Sequence, residues 1–214
     1  MSLPGFRHGL WRPDEPRVAG VCAEMARSYD FCVPHLNGRP FLEKPPLYFA
    51  TVGLFYHILG THPEGMGRLA SVVFSLGTLA VVFLGIRTLM GEEVSGLSTL
   101  ILATSFLFFL TSHKMLVDNA LVFFTTSALV SFMLGYKEKS SWGFKLFWVC
   151  LSLAFMTKGA VGIGIPIIAV VSFMLWKMDF SVLKKMWLVP GVFLVAAIMS
   201  VWGLSFTQRA ALSF

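Results

Sequence analysis

A series of long apolar runs constrains the fold of this chain more than any other feature. From residue 67 onward, six runs follow one another, each near the roughly 20 residues that an α-helix needs to cross about 30 Å of hydrocarbon. Lipid offers no partner to an unpaired backbone N–H or C=O group, so each run is predicted to be a helix. The candidate spans are 67–90, 95–112, 116–135, 143–158, 160–176 and 187–206.

The composition excludes an ordinary soluble domain. Hydrophobic residues make up 56% of the chain and charged residues only 13%, whereas soluble domains carry about 25% charged residues. The sequence therefore predicts an all-α, polytopic membrane protein of about six transmembrane helices. Because residues 1–66 form the sizeable polar region, we divide the chain into a loop, 1–66, and a transmembrane helical bundle, 67–214.

Lysines between the apolar runs indicate the orientation in the membrane. Two lysine-rich loops fall on one side, which the positive-inside rule makes cytoplasmic. Residues 1–66, the turns at 112–118 and 157–160 and the C-terminal tail then share the extracytoplasmic side. The net charge of +6 comes without a basic stripe of interleaved aromatics, so membrane lipids and no nucleic acid are the predicted partners. The cytoplasmic lysines are Lys137, Lys139 and Lys145 in one loop, and Lys177, Lys184 and Lys185 in the other.

Two shorter helices are predicted within the extracytoplasmic loop. Residues 14–29 carry apolar side chains at helical spacing, and residues 46–60 begin with prolines that suit a first helical turn but are too short to span comfortably. Both are predicted to be interfacial helices that lie on the membrane. Cys22 and Cys32 are candidates for a disulfide bond if this loop faces an oxidising compartment.

Three charged residues stand at the start of the first interfacial helix. Asp14 and Glu15 precede Arg17, and carboxylates near a helix N-terminus are favoured electrostatically whatever their function. A simple helix start is therefore one interpretation. The other is that one carboxylate is a general base acting on an incoming hydroxyl or phosphate nucleophile, while Arg17 holds an anionic group.

A second group of charged residues precedes the second interfacial helix. In the run Glu43-Lys44-Pro45-Pro46, the two prolines fix the backbone and hold the charged side chains in a defined direction. Lys44 is a candidate to bind a lipid phosphate, and Glu43 to bind a metal ion or a sugar hydroxyl. The alternative is that both side chains are solvated at the membrane surface.

Two further ionisable residues lie at the ends of predicted spans on the extracytoplasmic side. Asp118 begins the third span and Lys158 separates the fourth from the fifth. Charge at a membrane segment is costly, which makes both residues functional candidates. The alternatives are that Asp118 caps its helix and that Lys158 anchors a helix end.

Five short motifs together resemble a known family. They are D-E-P-R at 14–17, L-N-G-R-P-F-L-E-K-P-P-L at 36–47, G-R-L at 67–69, D-N-A-L-V-F-F at 118–124 and T-K-G-A-V-G at 157–162. In order, spacing and membrane setting they are similar to the bacterial GT-C glycosyltransferases that use polyprenyl-phosphate-linked sugars. That group contains the lipid A aminoarabinose transferase and the protein O-mannosyltransferases.

The resemblance implies sugar transfer from a polyprenyl-phosphate donor to a lipid or protein acceptor, at the extracytoplasmic face of the bacterial inner membrane. It implies that Asp14, Glu15 and Asp118 are catalytic, with Asp14 the leading carboxylate. It further implies that Arg17, Lys44 and Lys158 contact substrate phosphate, and that Glu43 matches a position that binds a divalent metal ion in some members.

The sequence departs from the family pattern in ways that leave other functions open. It lacks the membrane helix that normally precedes D-E-x-R, it stops after six candidate spans, and the usual P-W-Y is here Val201-Trp202-Gly203. We therefore expect an N-terminal portion of a transferase, with a second polypeptide as the supplier of the C-terminal part. The alternatives are a noncatalytic truncated subunit and a small transporter or flippase component.

Overall fold

The fold is helical, with one short β-hairpin near its start. The computed structural model describes residues 14–41, 43–59 and 63–211, with the side chains of residues 14, 63–66 and 208–211 excepted. The first elements are α1 (Asp14–Ser28), β1 (His35–Leu36), β2 (Arg39–Pro40) and α2 (Leu47–Leu59). The bundle follows as α3 (Pro63–Met90), α4 (Glu92–Thr104), α5 (Phe106–Ser112), α6 (Val117–Lys137), α7 (Ser141–Lys158), α8 (Ala160–Lys177), α9 (Val182–Lys185) and α10 (Leu188–Ala211).

The long helices run back and forth between two ends of the bundle. At one end, here called the loop end, α1 contacts the start of α3 and the turn before α6, and Trp202 of α10 donates a hydrogen bond to the carbonyl of Cys32. At the other, here called the lysine end, Lys137 at the end of α6 reaches the carbonyl of Leu89. The predicted alternation of the six apolar segments is therefore found in the fold.

Within the described residues, four helices are long and apolar enough to cross a membrane, and the count is five spans if the bent pair α4 and α5 forms one span. The two members of that pair meet at Ser105 with a bend of 66°. The predicted span 95–112 is this broken pair. The four unbroken candidates are Gly67–Met90, Val117–Lys137, Ala160–Lys177 and Leu188–Thr207.

The predicted span 143–158 folds as α7, which is not among those four candidates, although it runs the whole length of α6. At the lysine end Gly143 lies against Gly135, and at the loop end Lys158 pairs with Asp118. Its 18 residues rise about 27 Å, close to the thickness of the hydrocarbon core. The number of six membrane spans stays a prediction, while six passages between the two ends are what the structure shows.

The crossing of α6 and α7 depends on two glycines. A Cβ atom at Gly143 would lie 2.5 Å from the backbone nitrogen of Gly135 and 2.7 Å from the carbonyl oxygen of Ser131. Backbone atoms cannot rotate away as a flexible side chain does, so the helices would have to separate. Small residues permit such close approach in membrane bundles.

We expect Gly143→Ala to destabilise the protein by about 1–3 kcal/mol, because the added methyl group forces α7 away from α6. Gly164→Ala in α8 is the matched control, since a Cβ atom there meets nothing within 4 Å. Alanine is the better helix former, so this control is expected to be neutral or stabilising by up to about 1 kcal/mol. Thermal unfolding in detergent micelles measures both, and equal effects would contradict the close crossing.

The hairpin between α1 and α2 turns on Asn37 and Gly38, both with positive φ (55° and 74°). This is the backbone that an Asn-Gly hairpin turn requires. Glu24 of α1 secures it by accepting hydrogen bonds from the N–H groups of Asn37 (2.5 Å) and Gly38 (3.1 Å). The hairpin was not predicted, although Asn-Gly within L-N-G-R is the signal for it.

Both predicted loop helices are present, and α1 buries its apolar face within the protein. Val21, Cys22 and Met25 are almost fully buried in a core shared with Tyr48 and Phe49 of α2. This burial raises the pKa of the Cys22 thiol. The candidate disulfide is not formed, because Cys22 is a buried free thiol and Cys32 an exposed one.

Candidate functional site

A buried ion pair holds α1 against the bundle at the loop end. Glu15 accepts a hydrogen bond from the backbone N–H of Met115 (2.7 Å), and its other oxygen lies 3.5 Å from the guanidinium of Arg68 in α3. The two side chains are only 2% and 4% exposed. One carboxylate therefore ties together α1, α3 and the turn that precedes α6.

This burial bears on the predicted catalytic role of Glu15. The Glu15 side chain is 2% exposed, and its two oxygens contact Met115 and Arg68, so the carboxylate does not face an open site. Its contacts indicate a positioning role, and catalysis by Glu15 stays a prediction. Asp14 precedes it as the first residue of α1, and the side chain of Asp14 lies outside the part of the chain that the structure describes.

Tyr48 supports the same end from α2 and was not singled out in the sequence. Its hydroxyl donates to the carbonyl of Gly67 (3.2 Å) and lies 2.9 Å from the hydroxyl oxygen of Ser71. Complete burial raises the pKa of Tyr48, so the phenol keeps its proton and can donate. The signal was the tyrosine that follows Pro45-Pro46 at the start of an apolar helix, because a buried tyrosine usually needs a partner.

Arg17 and Glu43, predicted to bind phosphate and metal, form an ion pair with each other. The Arg17 guanidinium also stacks over the ring of Phe41, 5.0 Å from its centre. Both side chains remain partly exposed, at 40% and 58%. The pair joins α1 to the segment that precedes α2.

The surroundings of Glu43 do not fit a metal ion. A cation would compete with the Arg17 guanidinium for the carboxylate. Within residues 14–41, 43–59 and 63–211, His, Cys, Asp and Glu side chains nowhere gather in a group of three that could hold a metal. Glu43 is therefore better placed to hold Arg17 than to bind a metal ion.

Lys44 is half-buried and next to the buried prolines Pro45 and Pro46. Across the described ranges it forms neither an ion pair nor a hydrogen bond. A partly desolvated ammonium group without a counter-ion attracts an anion strongly, because the local dielectric constant is lower than that of water. Lys44 is thus available for a phosphate group.

Asp118 and Lys158 form an ion pair between the start of α6 and the end of α7. Asp118 does not cap α6, because the cap position is Leu116 and the Asp118 side chain makes no capping hydrogen bond. Asn119 instead orders this turn by donating to the carbonyls of Thr111 (3.0 Å) and Lys114 (3.2 Å). The proposed alternative of an Asp118 cap is therefore not what the structure contains.

An apolar cavity of about 360 Å³ opens at the same end, between α10, α7 and the loop. Pro46, from the Glu43–Pro46 run, and Met156, two residues before Lys158, are on its wall with Trp202 of α10. The cavity therefore borders the two segments of the chain that carry Lys44 and Lys158. Its chemistry suits a hydrocarbon chain whose polar group remains at the surface.

The structure thus places the predicted site residues at one end of the bundle, as separate pairs. Arg17 pairs with Glu43, Asp118 with Lys158 and Glu15 with Arg68, whereas Lys44 has no such partner in the described ranges. The three cationic groups Arg17, Lys44 and Lys158 are within reach of solvent and are suited to bind an anion, and two carboxylates, Glu43 and Asp118, are also accessible. A carboxylate can also accept a proton from a hydroxyl group.

Comparison with known families identifies a match over most of the chain. The sequence model of the family described as dolichyl-phosphate-mannose-protein mannosyltransferase matches residues 43–204. That range includes Glu43, Lys44, Asp118 and Lys158, while α1 precedes it.

Several curated relatives are arabinosyl transferases from bacteria. The undecaprenyl phosphate-alpha-4-amino-4-deoxy-L-arabinose arabinosyl transferase of Edwardsiella ictaluri is 34% identical over 193 residues, which cover 84% of this chain and 34% of the relative. The protein of the same name from Serratia proteamaculans is 29% identical over 210 residues, 94% of this chain and 37% of the relative. The chain spans little more than a third of the length of these relatives.

The fold matches a solved structure closely. The crystal structure of ArnT from Cupriavidus metallidurans bound to undecaprenyl phosphate superposes with a TM-score of 0.89 and 25% sequence identity, over 96% of this chain and 38% of that one. The apo structure of the same protein gives a TM-score of 0.87. The GT-C-like arrangement of helices predicted from the motifs is therefore confirmed.

Proposed function

Because the chain belongs to the dolichyl-phosphate-mannose-protein mannosyltransferase family, we propose that it is the donor-binding and catalytic part of a glycosyltransferase of the bacterial inner membrane. The donor is a sugar linked to a polyprenyl phosphate, and the acceptor is a lipid or a protein. The names of the curated relatives favour a pentosyl group, 4-amino-4-deoxy-L-arabinose. Modification of lipid A is what the resemblance of the motifs implies. The loop end faces the extracytoplasmic side, as the lysines at the other end indicate.

The observation that carries this proposal is Lys44, a half-buried ammonium group without a counter-ion in the described ranges. It is held by two prolines, one of which borders the apolar cavity. A phosphate at Lys44 would therefore leave its polyprenyl chain free to enter that cavity. Arg17 and Lys158 supply further positive charge at the same end.

The proposed transfer needs a general base for the acceptor and positive charge for the leaving phosphate. The acceptor hydroxyl loses its proton to a carboxylate, which we assign to Asp14, and the hydroxyl oxygen forms a bond to the anomeric carbon of the sugar. The bond between that carbon and the phosphate oxygen breaks, and polyprenyl phosphate leaves with the electron pair. Lys44, Lys158 and Arg17 stabilise the negative charge that develops on the phosphate.

Asp118 is assigned to the same site through Lys158. Its ion pair holds the ammonium group at the end of α7, and it also lies in the first turn of α6, where the helix favours negative charge. In this proposal Asp118 orients Lys158 when the site is empty and becomes the second acid of the site when phosphate draws Lys158 away.

The test offers a labelled sugar, linked either to undecaprenyl phosphate or to a nucleotide, to an assembly that also supplies the region of the relatives beyond the matched part. We expect transfer from the undecaprenyl-phosphate-linked sugar and none from the nucleotide-linked sugar. Lys44→Ala is expected to lower the rate about 100-fold, since it removes one of the positive charges that stabilise the leaving phosphate. Arg39→Ala, an exposed cation of the hairpin, is the matched control and leaves the rate unchanged.

Three results would contradict the proposal. Equal transfer from the nucleotide-linked sugar would assign a different donor. Wild-type rates in the Lys44→Ala variant would remove the phosphate site, and an assembly inactive with every donor would favour a noncatalytic membrane subunit.

A further inference from the structure

A second cavity, of about 550 Å³, lies at the lysine end and takes no part in the proposed transfer. It is enclosed by the end of α6, the start of α7 and the segment that leads from α8 into α10. Its wall includes Lys137, Lys139, Lys185, Ser141, Asp179 and Trp187. It is therefore a basic cavity at the opposite end of the molecule from the candidate site.

The positive charge of this cavity is not neutralised by its own carboxylate. Asp179 accepts hydrogen bonds from Ser181, at its hydroxyl (2.6 Å) and its backbone N–H (3.1 Å), and from the hydroxyl of Tyr136 (3.3 Å). The hydrogen bond from the Ser181 hydroxyl lowers the pKa of Asp179, which stays ionised. The charge of nearby Lys185 also lowers the pKa of Asp179, so a single carboxylate offsets only part of the charge of three lysines.

Two of the three lysines are available to a ligand. Lys137 donates to the carbonyl of Leu89 at 3.4 Å. Lys139 and Lys185, by contrast, form no ion pair and no hydrogen bond with any residue that the structure describes. The amides of the first turn of α7, which begins at Ser141 and lacks a side-chain cap, add positive potential to the same space.

Aromatic residues indicate that the cavity lies at the level of the lipid headgroups. Lys145 stacks over the rings of Trp142 (4.8 Å) and Trp187 (4.5 Å), and both tryptophans are exposed on the surface. Tryptophan concentrates at the boundary between hydrocarbon and water. An anion in the cavity would therefore be within reach from the membrane surface.

We propose that this cavity binds the phosphate of an anionic glycerophospholipid headgroup. The ligand comes from the leaflet opposite the loop end, with its acyl chains in the bilayer and its phosphate between Lys139 and Lys185. Basic pockets between transmembrane helices on the cytoplasmic side are suited to such headgroups. The site is separate from the candidate transferase site and does not depend on its activity.

The test measures how much phosphatidylglycerol the whole protein retains. The protein is reconstituted in phosphatidylcholine containing a minor fraction of phosphatidylglycerol, extracted in mild detergent and analysed by native mass spectrometry. We expect the double variant K139Q/K185Q to retain about tenfold less phosphatidylglycerol than the wild type. The matched control is K177Q/K184Q, which removes the same charge at the same end from lysines that do not line the cavity.

The control distinguishes lipid binding in the cavity from lipid binding to the general positive charge of the loops at this end. Loss in K139Q/K185Q alone supports the proposal. Equal loss in both variants, or loss in neither, overturns it. A second arm adds inorganic phosphate during extraction, and displacement of the lipid at phosphate concentrations no higher than those of the lipid would overturn the assignment to a lipid headgroup.

Discussion

Asp14→Asn is expected to lower the rate of sugar transfer about 100-fold to 10,000-fold, because the amide cannot take the proton of the acceptor hydroxyl. Asp14 begins α1, and the next residue, Glu15, is fixed to Arg68 and Met115. The backbone at Asp14 is therefore held at the loop end, next to the cationic groups that are proposed to receive the phosphate.

The measurement is the single-turnover rate with the undecaprenyl-phosphate-linked donor in an active assembly. Asn and Asp have nearly the same size, so membrane insertion and thermal stability are expected to stay those of the wild type. Glu24→Gln provides a control on the same helix, since its carboxylate secures the hairpin. A rate within threefold or so of the wild type in Asp14→Asn would reject Asp14 as the general base, given the expected contribution.

Glu15→Gln is expected to destabilise the protein by about 3–5 kcal/mol, the usual effect of removing one partner from a buried ion pair. The glutamine can still accept the N–H of Met115, so the loss falls mainly on the charged contact with the Arg68 guanidinium, which is 4% exposed. Thermal unfolding in detergent micelles measures the change. The double variant Glu15→Gln with Arg68→Met is expected to recover much of it, because neither charge is then buried.

Glu92→Gln is the matched control for the buried pair. Glu92 and Arg87 also form an ion pair of the same residue types, at 3.4 Å, but their side chains are 73% and 53% exposed. Exposed pairs contribute at most about 1 kcal/mol. If Glu15→Gln costs no more than Glu92→Gln while transfer is lost, Glu15 is catalytic as the sequence predicted, and its positioning role is wrong.

The helices of this fold were predictable from the sequence because the apolar runs are long and their composition leaves few other structures open to them. All six apolar runs appear as helical passages between the two ends, and both loop helices lie within two residues of their predicted bounds. The break at Ser105 was not predicted. A serine within an apolar run is no strong signal, since its hydroxyl can equally bond to a carbonyl of an unbroken helix.

The site was less predictable, because pairings depend on contacts between distant segments. The motifs indicated which charged residues matter, and the alternation of spans indicated that they share one end. That Arg17 would pair with Glu43, or that Glu15 would be enclosed with Arg68, depends on side-chain directions in two helices and in the segment that precedes α2. The sequence does not tell which of the neighbouring carboxylates Asp14 and Glu15 is buried, because successive positions on a helix face different directions.

The tie between Glu15 and Met115 also has a consequence for how the protein is made. Its two members are 100 residues apart, and the bond from Trp202 to Cys32 spans 170. During synthesis, α1 therefore emerges long before Met115 and Trp202. The contact between Glu15 and Met115 can form only after α3, α4 and α5 have been synthesised. Until then the core that α1 shares with α2 lacks Met115, Val117 and Ala120, so the nascent protein passes through a stage in which a chaperone or the membrane surface covers the apolar surface that those residues later bury.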